Sequence, residues 1–306
     1  MLTIPQVIDS FGTTEACLAY IEQHRWPDGP ACLRCGSIAL TRIETRHKWE
    51  CRDCHFQFRA TVGTIFHNSK VELPKWFLAV HFILSGRKGY PAKQLARDLG
   101  LPYKTCWSML HRIRKAMANG NRHKLAGTVE MDETYVKCRK PDSKGEKRTR
   151  KGGSDPLTHV VAFGMRQRRG EARIKIVPDT KQSTVFPIIE ANVRRMSMLH
   201  TDEGFLYKRI GLRGFRHRAV QHATEYVDDQ GTHCNGVESL WAVLKRGRYG
   251  VYHKIGRKYA QRYCDEVAFR INHNGDGFRS VFANCENGFD SERRTADPKI
   301  RETAVE

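Results

Sequence analysis

The stretch Val129-Glu130-Met131-Asp132-Glu133-Thr134-Tyr135-Val136 lies near the middle of the chain, and the rest of the fold is interpreted around it. Its β-forming residues predict a buried strand that carries Asp132 to an exposed edge. Asp202 ends a second short apolar run, and Glu238 lies in a third candidate element at residues 235–241. Carboxylates that meet in a cleft repel one another unless a cation lies between them, as in magnesium or manganese sites for phosphoryl transfer. Each acid alone would be an ordinary surface residue, so the hypothesis requires a fold that brings the three together.

The chain is strongly basic. Its 306 residues include 53 Lys and Arg against 33 Asp and Glu, a formal net charge of +20. An excess of this size, spread along most of the chain, favours a polyanionic partner, and nucleic acid before a membrane surface. The length suffices for two or three domains with a substantial core.

The start of the chain, residues 1–5, has no basic segment followed by an apolar core, so we expect no secretory signal. No apolar run approaches the roughly 20 residues that a membrane span needs. We therefore expect the ten cysteines to lie in a reducing compartment, the cytoplasm, where paired cysteines favour metal binding over disulfides.

Two C-x-x-C motifs, separated by fifteen residues, predict a zinc ribbon. Each motif folds back so that two thiolates reach one metal ion, and four thiolates complete a tetrahedral, structural site. A pair of redox C-x-x-C motifs is the alternative, which the intervening β-hairpin pattern disfavours. We expect His47 and His55 to be surface residues, since four thiolates suffice. The predicted ligands are Cys32, Cys35, Cys51 and Cys54.

Residues 70–122 predict a helix-turn-helix module. Helical segments at 73–85 and 92–99 are followed by Gly100, and a basic helix then begins at Pro102 or Tyr103. A short helix, a glycine-containing turn and a basic helix are typical of DNA-binding modules, although a three-helix packing module has the same pattern. The predicted DNA-facing side chains are Lys104, Thr105, Ser108, Arg112, Arg114 and Lys115.

After the strand with Asp132, the order of predicted elements is typical of an RNase H-like α/β domain. Residues 137–155 are basic and nearly free of apolar residues, which predicts a loop that contacts a phosphate backbone or is merely solvated. Two strands, at 160–164 and 172–177, a helix at 181–195 and a strand ending at Asp202 follow. The remainder of the domain is predicted to be α-helical.

The segment 235–248 has helical periodicity and carries both Glu238 and Lys245. Seven residues correspond to two helical turns, so both side chains lie on one face. A carboxylate that binds metal and a lysine that binds a phosphate fit this arrangement. The alternative is a structural ion pair with a neighbouring element.

These motifs together resemble the bacterial insertion-sequence transposases of the ISXO type, which are related to the eukaryotic Merlin elements. The resemblance covers most of the chain, and the joint occurrence of the motifs in this order makes it specific. It rests on Arg25-Trp26-Pro27-Asp28-Gly29-Pro30, the four cysteines, Met131-Asp132-Glu133-Thr134-Tyr135, His200-Thr201-Asp202, the segment 233–247 and Tyr249-Gly250-Val251-Tyr252-His253.

The resemblance implies a DDE-type transposase in which Asp132 and Asp202 match the first two catalytic acids. The third position carries Glu or Asn in this group. Glu238 shows the usual seven-residue step to Lys245, so we favour it, and Asn235 is the alternative ligand or a substrate contact. The implied cofactors are Mg2+, or Mn2+, at the three acids and Zn2+ at the ribbon. His200 and His233 are expected to be hydrogen-bonding neighbours rather than ligands.

The expected fold is therefore α+β and multidomain. Its predicted parts are an N-terminal helical segment (1–27), a zinc ribbon (28–66), a helix-turn-helix module (70–122), an RNase H-like catalytic domain (126–275) and a polar tail (286–306). The resemblance implies that the ribbon and helix-turn-helix bind the terminal inverted repeats and that the catalytic domain cleaves and transfers strands to target DNA. A homodimer or larger assembly on DNA, near the bacterial nucleoid, is implied because two ends must be joined.

Three other functions are consistent with parts of the sequence. A DNA-binding regulator would use the ribbon and the helix-turn-helix but leaves the three acids unexplained. An RNase H-like nuclease or resolvase would cleave without joining. A degenerate, inactive transposase is disfavoured because Asp132, Asp202, Glu238 and Lys245 are all present.

Overall fold

The computed structural model describes residues 2–118, 123–139, 158–202, 207, 209–220, 233–273, 275 and 277–288. The chain divides into two compact units. One comprises residues 1–117 together with 275–306, and the other comprises residues 118–274. Among the described helices, none is long and apolar enough to cross a membrane.

The first unit begins with two capped helices and a small sheet. Thr3 caps α1 (Ile4–Phe11) through a reciprocal capping box, and Thr13 accepts a hydrogen bond at the start of α2 (Thr14–Arg25). The sheet is antiparallel, in the order β1-β2-β3. Its strands are β1 (Leu40–Ile43), β2 (Lys48–Cys51) and β3 (Gln57–Phe58).

The next three helices have the predicted helix-turn-helix arrangement. They are α3 (Leu73–Ser85), α4 (Ala92–Leu99) and α5 (Tyr103–Ala116). Gly100 ends α4 with a φ of 63°, which glycine adopts without a side-chain penalty. The Leu101 N–H donates to Ala96 O at 3.1 Å and closes the turn before α5.

The second unit is built on a five-stranded sheet of order β6-β5-β4-β7-β8. β5 is antiparallel to both β4 and β6, whereas β7 is parallel to β4 and to β8. This confirms the RNase H-like sheet; β8 was not predicted from the sequence. The strands are β4 (Thr128–Lys137), β5 (His159–Gln167), β6 (Ala172–Val177), β7 (Met198–Asp202) and β8 (Arg216–Val220).

Helices cover both faces of this sheet. α6 (Gln182–Asn192) packs on one face, and α7 (Asn235–Gly247) with α8 (Ala260–Asn272) packs on the other. Side chains alternate along β4, so Met131 lies in the core under α6, whereas Val136 lies in the core under α7. Asp132, an even number of residues from Val136, therefore faces α7.

The last described residues, 277–288, belong to the first unit. A short helix, α9 (Gly277–Ala283), and a 3-10 turn (Cys285–Gly288) pack on helices of that unit, with Phe282 4.3 Å from Phe77 between ring centroids. The sequence did not predict this helix. Of the predicted polar tail, residues 289–306 lie outside the described residues, as do residues 140–157, which include most of the predicted basic loop.

Candidate functional site

The first two predicted acids lie on neighbouring strands. Glu130 of β4 pairs with His200 of β7 in a parallel register. Two residues further along both strands, the same register places Asp132 beside Asp202 on one face of the sheet. Adjacent strands lie about 4.8 Å apart, so the two carboxylates are close neighbours. The fold therefore brings together two carboxylates that are 70 positions apart in the sequence.

Helix α7 crosses this face and carries Glu238 in its first turn. Trp241 of the same helix donates its indole N–H to Asp132 Oδ2 at 2.7 Å. The Glu133 N–H donates to Asp132 Oδ1 at 2.8 Å. Both oxygens of Asp132 are thus fixed by donors, and the carboxylate has one orientation relative to α7.

The other two predicted acids lie close enough to Asp132 to influence its pKa. Burial raises the pKa of Asp132, and the negative charges of Asp202 and Glu238 raise it further, against the two hydrogen bonds, which lower it. Burial likewise raises the pKa of the Cys234 thiol to about 12, and the same three carboxylates contribute to that shift together with Glu130. The negative charges of Asp202 and Glu238 therefore both act on Asp132, as a site built from these three acids requires.

This cluster has the chemistry of a divalent-cation site. Asp202 Oδ1 is buried and has no hydrogen-bond partner among the residues that the structure describes. An unsatisfied carboxylate oxygen in a cluster of like charges is costly, and a hard cation with oxygen ligands would satisfy it. The carboxylate oxygens of the three acids do not all lie within 4.8 Å of one another. Among the described residues, only the four ribbon cysteines form a group of possible metal ligands that lie this close together.

Glu130 is a site residue that the sequence did not single out. It is 2% exposed, and its Oε2 accepts the Val237 N–H of α7 at 3.1 Å. Arg168 Nε donates to Glu130 Oε1 at 3.1 Å. Arg168 also contacts His200 Nδ1 at 3.2 Å and the His233 carbonyl at 3.4 Å. Glu130 therefore joins the sheet to the start of α7.

The two histidines lie beside this network: the His200 ring contacts Arg168, whereas His233 takes part through its backbone carbonyl. His200 is buried, and burial, reinforced by the charge of Arg168, lowers its pKa. His233 Nδ1 lies 3.3 Å from Glu130 Oε1 without hydrogen-bond geometry. Glu133, the acid next to Asp132, points to the opposite face, where Tyr207 donates to it at 2.9 Å.

The remaining predicted residues of the catalytic site are exposed on α7. Asn235 is the first residue of the helix, Glu238 lies in its first turn, and Lys245 lies in its last turns. Arg166 of β5 binds this first turn by donating to Gly236 O at 2.7 Å and to Ser239 Oγ at 2.6 Å.

The four ribbon cysteines converge as predicted. Their sulfur atoms all lie within 4.8 Å of one another, with Cys32 3.6 Å from Cys54 and Cys35 3.5 Å from Cys51. Tetrahedral Zn2+ with Zn–S bonds of about 2.3 Å requires sulfurs roughly 3.8 Å apart. The cluster fits a structural zinc site.

The helix-turn-helix presents a groove of about 600 Å3. Four of the six predicted DNA-facing residues line it: Lys104, Thr105, Ser108 and Arg112. The prediction for Arg114 is corrected, because its side chain is 2% exposed and does not reach the surface. It lies on the side of the helix that carries Ile113 and Met117, both fully buried, which a count of basic residues does not reveal. Lys115 is half-buried and lies outside the groove.

Comparison with known proteins gives two family matches. The transposase zinc-ribbon domain matches residues 12–57, and the ISXO2-like transposase domain matches residues 124–272. An uncharacterized protein in transposable element ISH50 of Halobacterium salinarum is 26% identical over 261 residues, covering 78% of this chain and 84% of the relative. An uncharacterized transposase-like protein of Haemophilus influenzae is 26% identical over 97 residues, covering 32% of this chain and 77% of the relative.

Two solved structures of Mos1 transposase also match. A pre-cleavage Mos1 transpososome is 11% identical, covers 70% of this chain and 79% of its own, and has a TM-score of 0.28. The Mos1 strand transfer complex is 10% identical, covers 68% and 78%, and has a TM-score of 0.23. The two family matches, in this order along one chain, show a transposase zinc-ribbon domain at residues 12–57 followed by an ISXO2-like transposase domain at residues 124–272.

Proposed function

We propose that the protein is a DDE-type DNA transposase that cleaves the ends of its insertion sequence and joins them to target DNA. The observation that carries the proposal is the cluster of Asp132, Asp202 and Glu238, with Asp202 Oδ1 buried and unsatisfied among the described residues. A DNA-binding regulator has no use for such a cluster.

The three carboxylates would hold two Mg2+ or Mn2+ ions. When bound, such ions activate the attacking oxygen and stabilise the charge on the attacking and leaving oxygens. Trp241 and the Glu133 N–H hold the Asp132 carboxylate, and α7 delivers Glu238. We assign the third acid to Glu238 rather than Asn235, because a carboxylate supplies the negative charge that a divalent cation needs and Glu238 lies two helical turns from Lys245 on α7.

Two in-line displacements make up the reaction. Water attacks the phosphodiester at the element end, a new P–O bond forms, and the strand leaves as a 3′-hydroxyl. That hydroxyl then attacks a target phosphodiester, and the target's 3′-oxygen leaves. Positioning and charge stabilisation account for the rate, so little side-chain acid–base chemistry is required. Lys245, two turns from Glu238, would bind a phosphate of the end sequence.

DNA recognition would come from the zinc ribbon and the groove of the helix-turn-helix. Lys104 and Ser108 are exposed at this groove, and Lys70 and Lys75 extend its positive charge. Contacts of this kind combine phosphate binding with readout of base edges. Since two ends must be cut and joined, we propose a homodimer or larger assembly on DNA at the bacterial nucleoid.

The test is a strand-transfer assay with purified protein, Mg2+, a duplex carrying the element ends and a plasmid target. Joined product should be lost in Asp132→Ala, Asp202→Ala and Glu238→Gln but only reduced in Asn235→Ala. Loss in Asn235→Ala with an active Glu238→Gln would move the third ligand to Asn235. Cleavage without joining in the wild type would indicate a nuclease, and binding without chemistry would indicate a regulator or an inactive element.

A further inference from the structure

Helix α7 lacks a local cap at its N-terminus. Its N-cap residue, Cys234, makes no side-chain hydrogen bond to the first turn. The first backbone N–H groups of a helix need acceptors, and a carboxylate is the favoured partner because of the helix dipole. Glu130 of β4 supplies this acceptor at Val237, the third residue of the helix, 107 positions away in the sequence.

Gly236 allows this contact. A Cβ at this position would lie 2.4 Å from Glu130 Oε2. The carboxylate therefore occupies the space that a side chain would need, and the helix start can approach the strand this closely only with glycine.

A second contact lies one helical turn further on. Trp241 donates to Asp132 Oδ2 at 2.7 Å, and its indole ring packs where a Cβ on Gly164 would lie, 2.6 Å from the ring. Gly164 is the register partner of Asp132 on β5, so the ring lies directly beside the carboxylate.

The two contacts match in spacing. Glu130 and Asp132 are two residues apart on one face of a strand, a separation of about 6.6 Å. Val237 and Trp241 are four residues apart on one face of a helix, about 6 Å along its axis. The strand therefore binds the helix at two points with nearly equal spacing on both elements. Glu238 directly follows Val237, the helix residue of the first contact.

We infer that Glu130 and Trp241 are positioning residues that hold α7 against β4 and thereby set where Glu238 stands relative to Asp132. We call this pair of contacts the strand–helix latch. The inference rests on the proposed function for its catalytic consequence, but the latch itself is a contact that can be measured without DNA.

Hydrogen exchange tests the first contact on the full-length protein. In Glu130→Ala, backbone amides at the start of α7 should exchange about tenfold faster than in the wild type, because they lose their buried acceptor. Glu130→Gln, which keeps an acceptor oxygen, should restore part of the protection. Glu190→Gln is the matched control, since Glu190 of α6 forms an ion pair with Arg213 in the same unit; it should leave α7 unchanged.

Binding of Mn2+ alone, followed by electron paramagnetic resonance of the free ion, tests the second contact. Trp241→Phe keeps the ring and removes the donor, and we expect it to weaken Mn2+ binding about tenfold, as misplaced ligands do. Trp49→Phe is the control, because Trp49 also donates its indole N–H to a carboxylate, that of Glu22 at 3.2 Å; Mn2+ binding should not change. Circular dichroism and zinc content confirm that both variants fold.

Unchanged exchange at α7 in Glu130→Ala, or wild-type Mn2+ affinity in Trp241→Phe, would overturn the inference. A wild-type protein that binds no Mn2+ and cleaves no DNA would instead refute the proposed function. The exchange experiment would then still decide whether the first contact of the latch holds α7.

Discussion

Arg25 of α2 donates from Nε to Glu286 Oε1 at 2.6 Å, across 261 positions of the sequence. The Arg25 side chain is 3% exposed, and its Nη1 also donates to Ala60 O at 2.7 Å. Through this arginine the 3-10 turn after α9 is bound to α2 and to the segment that follows β3, so residues 285–288 contribute to the stability of the first unit.

We expect Phe282→Ala to lower the free energy of unfolding of the first unit by about 3 kcal/mol, since a fully buried ring is removed. Glu286→Gln should cost no more than about 1 kcal/mol, because Glu286 is half-exposed. Urea unfolding of the full chain, followed by circular dichroism, measures both. A loss below about 1 kcal/mol in Phe282→Ala would show that α9 does not support this unit.

Gly164 should tolerate no side chain. A Cβ there would lie 2.6 Å from the Trp241 ring, so Gly164→Ala must displace the ring and should cost about 2 kcal/mol. Gly211→Ala is the control, because its Cβ would have no atom within 4 Å; we expect a change within about 0.5 kcal/mol. Thermal or urea unfolding compares the two, and equal values would refute the close packing.

The ribbon should bind Zn2+ through thiolates. Cys54→Ser is expected to abolish zinc binding, because structural sites need all four protein ligands. Metal analysis of the purified protein checks this, with Cys17→Ala as the control, since Cys17 is buried in α2 away from the cluster. Retention of zinc by Cys54→Ser would contradict the four-thiolate site.

Lys104 should contribute to DNA affinity through a phosphate. We expect Lys104→Ala to weaken binding to the element ends and to reduce the slope of log K against log salt by about 1. Filter binding or anisotropy over a salt series measures both quantities. Lys181→Ala, an exposed lysine of the other unit, serves as the control. An unchanged slope would place the phosphate contact elsewhere.

Stability should respond to pH through Asp265. Burial raises the pKa of its carboxyl to about 6, against a hydrogen bond from Gln261 and the charges of Lys175 and Arg262. The folded carboxyl therefore binds its proton more tightly than the unfolded one, so its contribution to stability falls as pH rises from about 4 to about 6. Asp265→Asn should then stabilise the protein by about 2 kcal/mol at pH 8 and hardly at all at pH 4.

Asp179 gives the opposite sign in the same measurement. A hydrogen bond from the Thr184 hydroxyl and a weaker effect of the hydrogen bond from the Lys181 N–H lower the pKa of Asp179. The stability that Asp179 contributes is therefore present above the pKa of the unfolded chain and is lost as pH falls through the folded pKa. Asp179→Asn should therefore destabilise the protein at pH 8 more than at low pH. Urea unfolding of both variants at pH 4 and pH 8 is the measurement, and equal pH responses would contradict this account.

Most of the elements could be predicted from the sequence because their signals are local. The fifteen-residue separation of the C-x-x-C motifs, the alternation around Asp132 and the helical spacing after Asn235 each involve neighbouring residues, and the structure has a ribbon, a strand and a helix there. β8 and α9 were missed because Arg216–Val220 is rich in charge and Gly277–Ala283 is only seven residues long.

The sequence by itself thus determined the types of element, the zinc ligands and which elements carry the candidate acids, although Asp132 lies in the middle of β4 and not at its edge. The tertiary structure alone decided that Glu130 is a buried cap for α7 and that Trp241 holds Asp132, contacts that span 107 and 109 positions. It also decided that Arg114 is buried while Lys104 is exposed on the same helix. The physical reason is that local periodicity specifies which face of an element is apolar, whereas strand register and helix docking specify which polar groups meet.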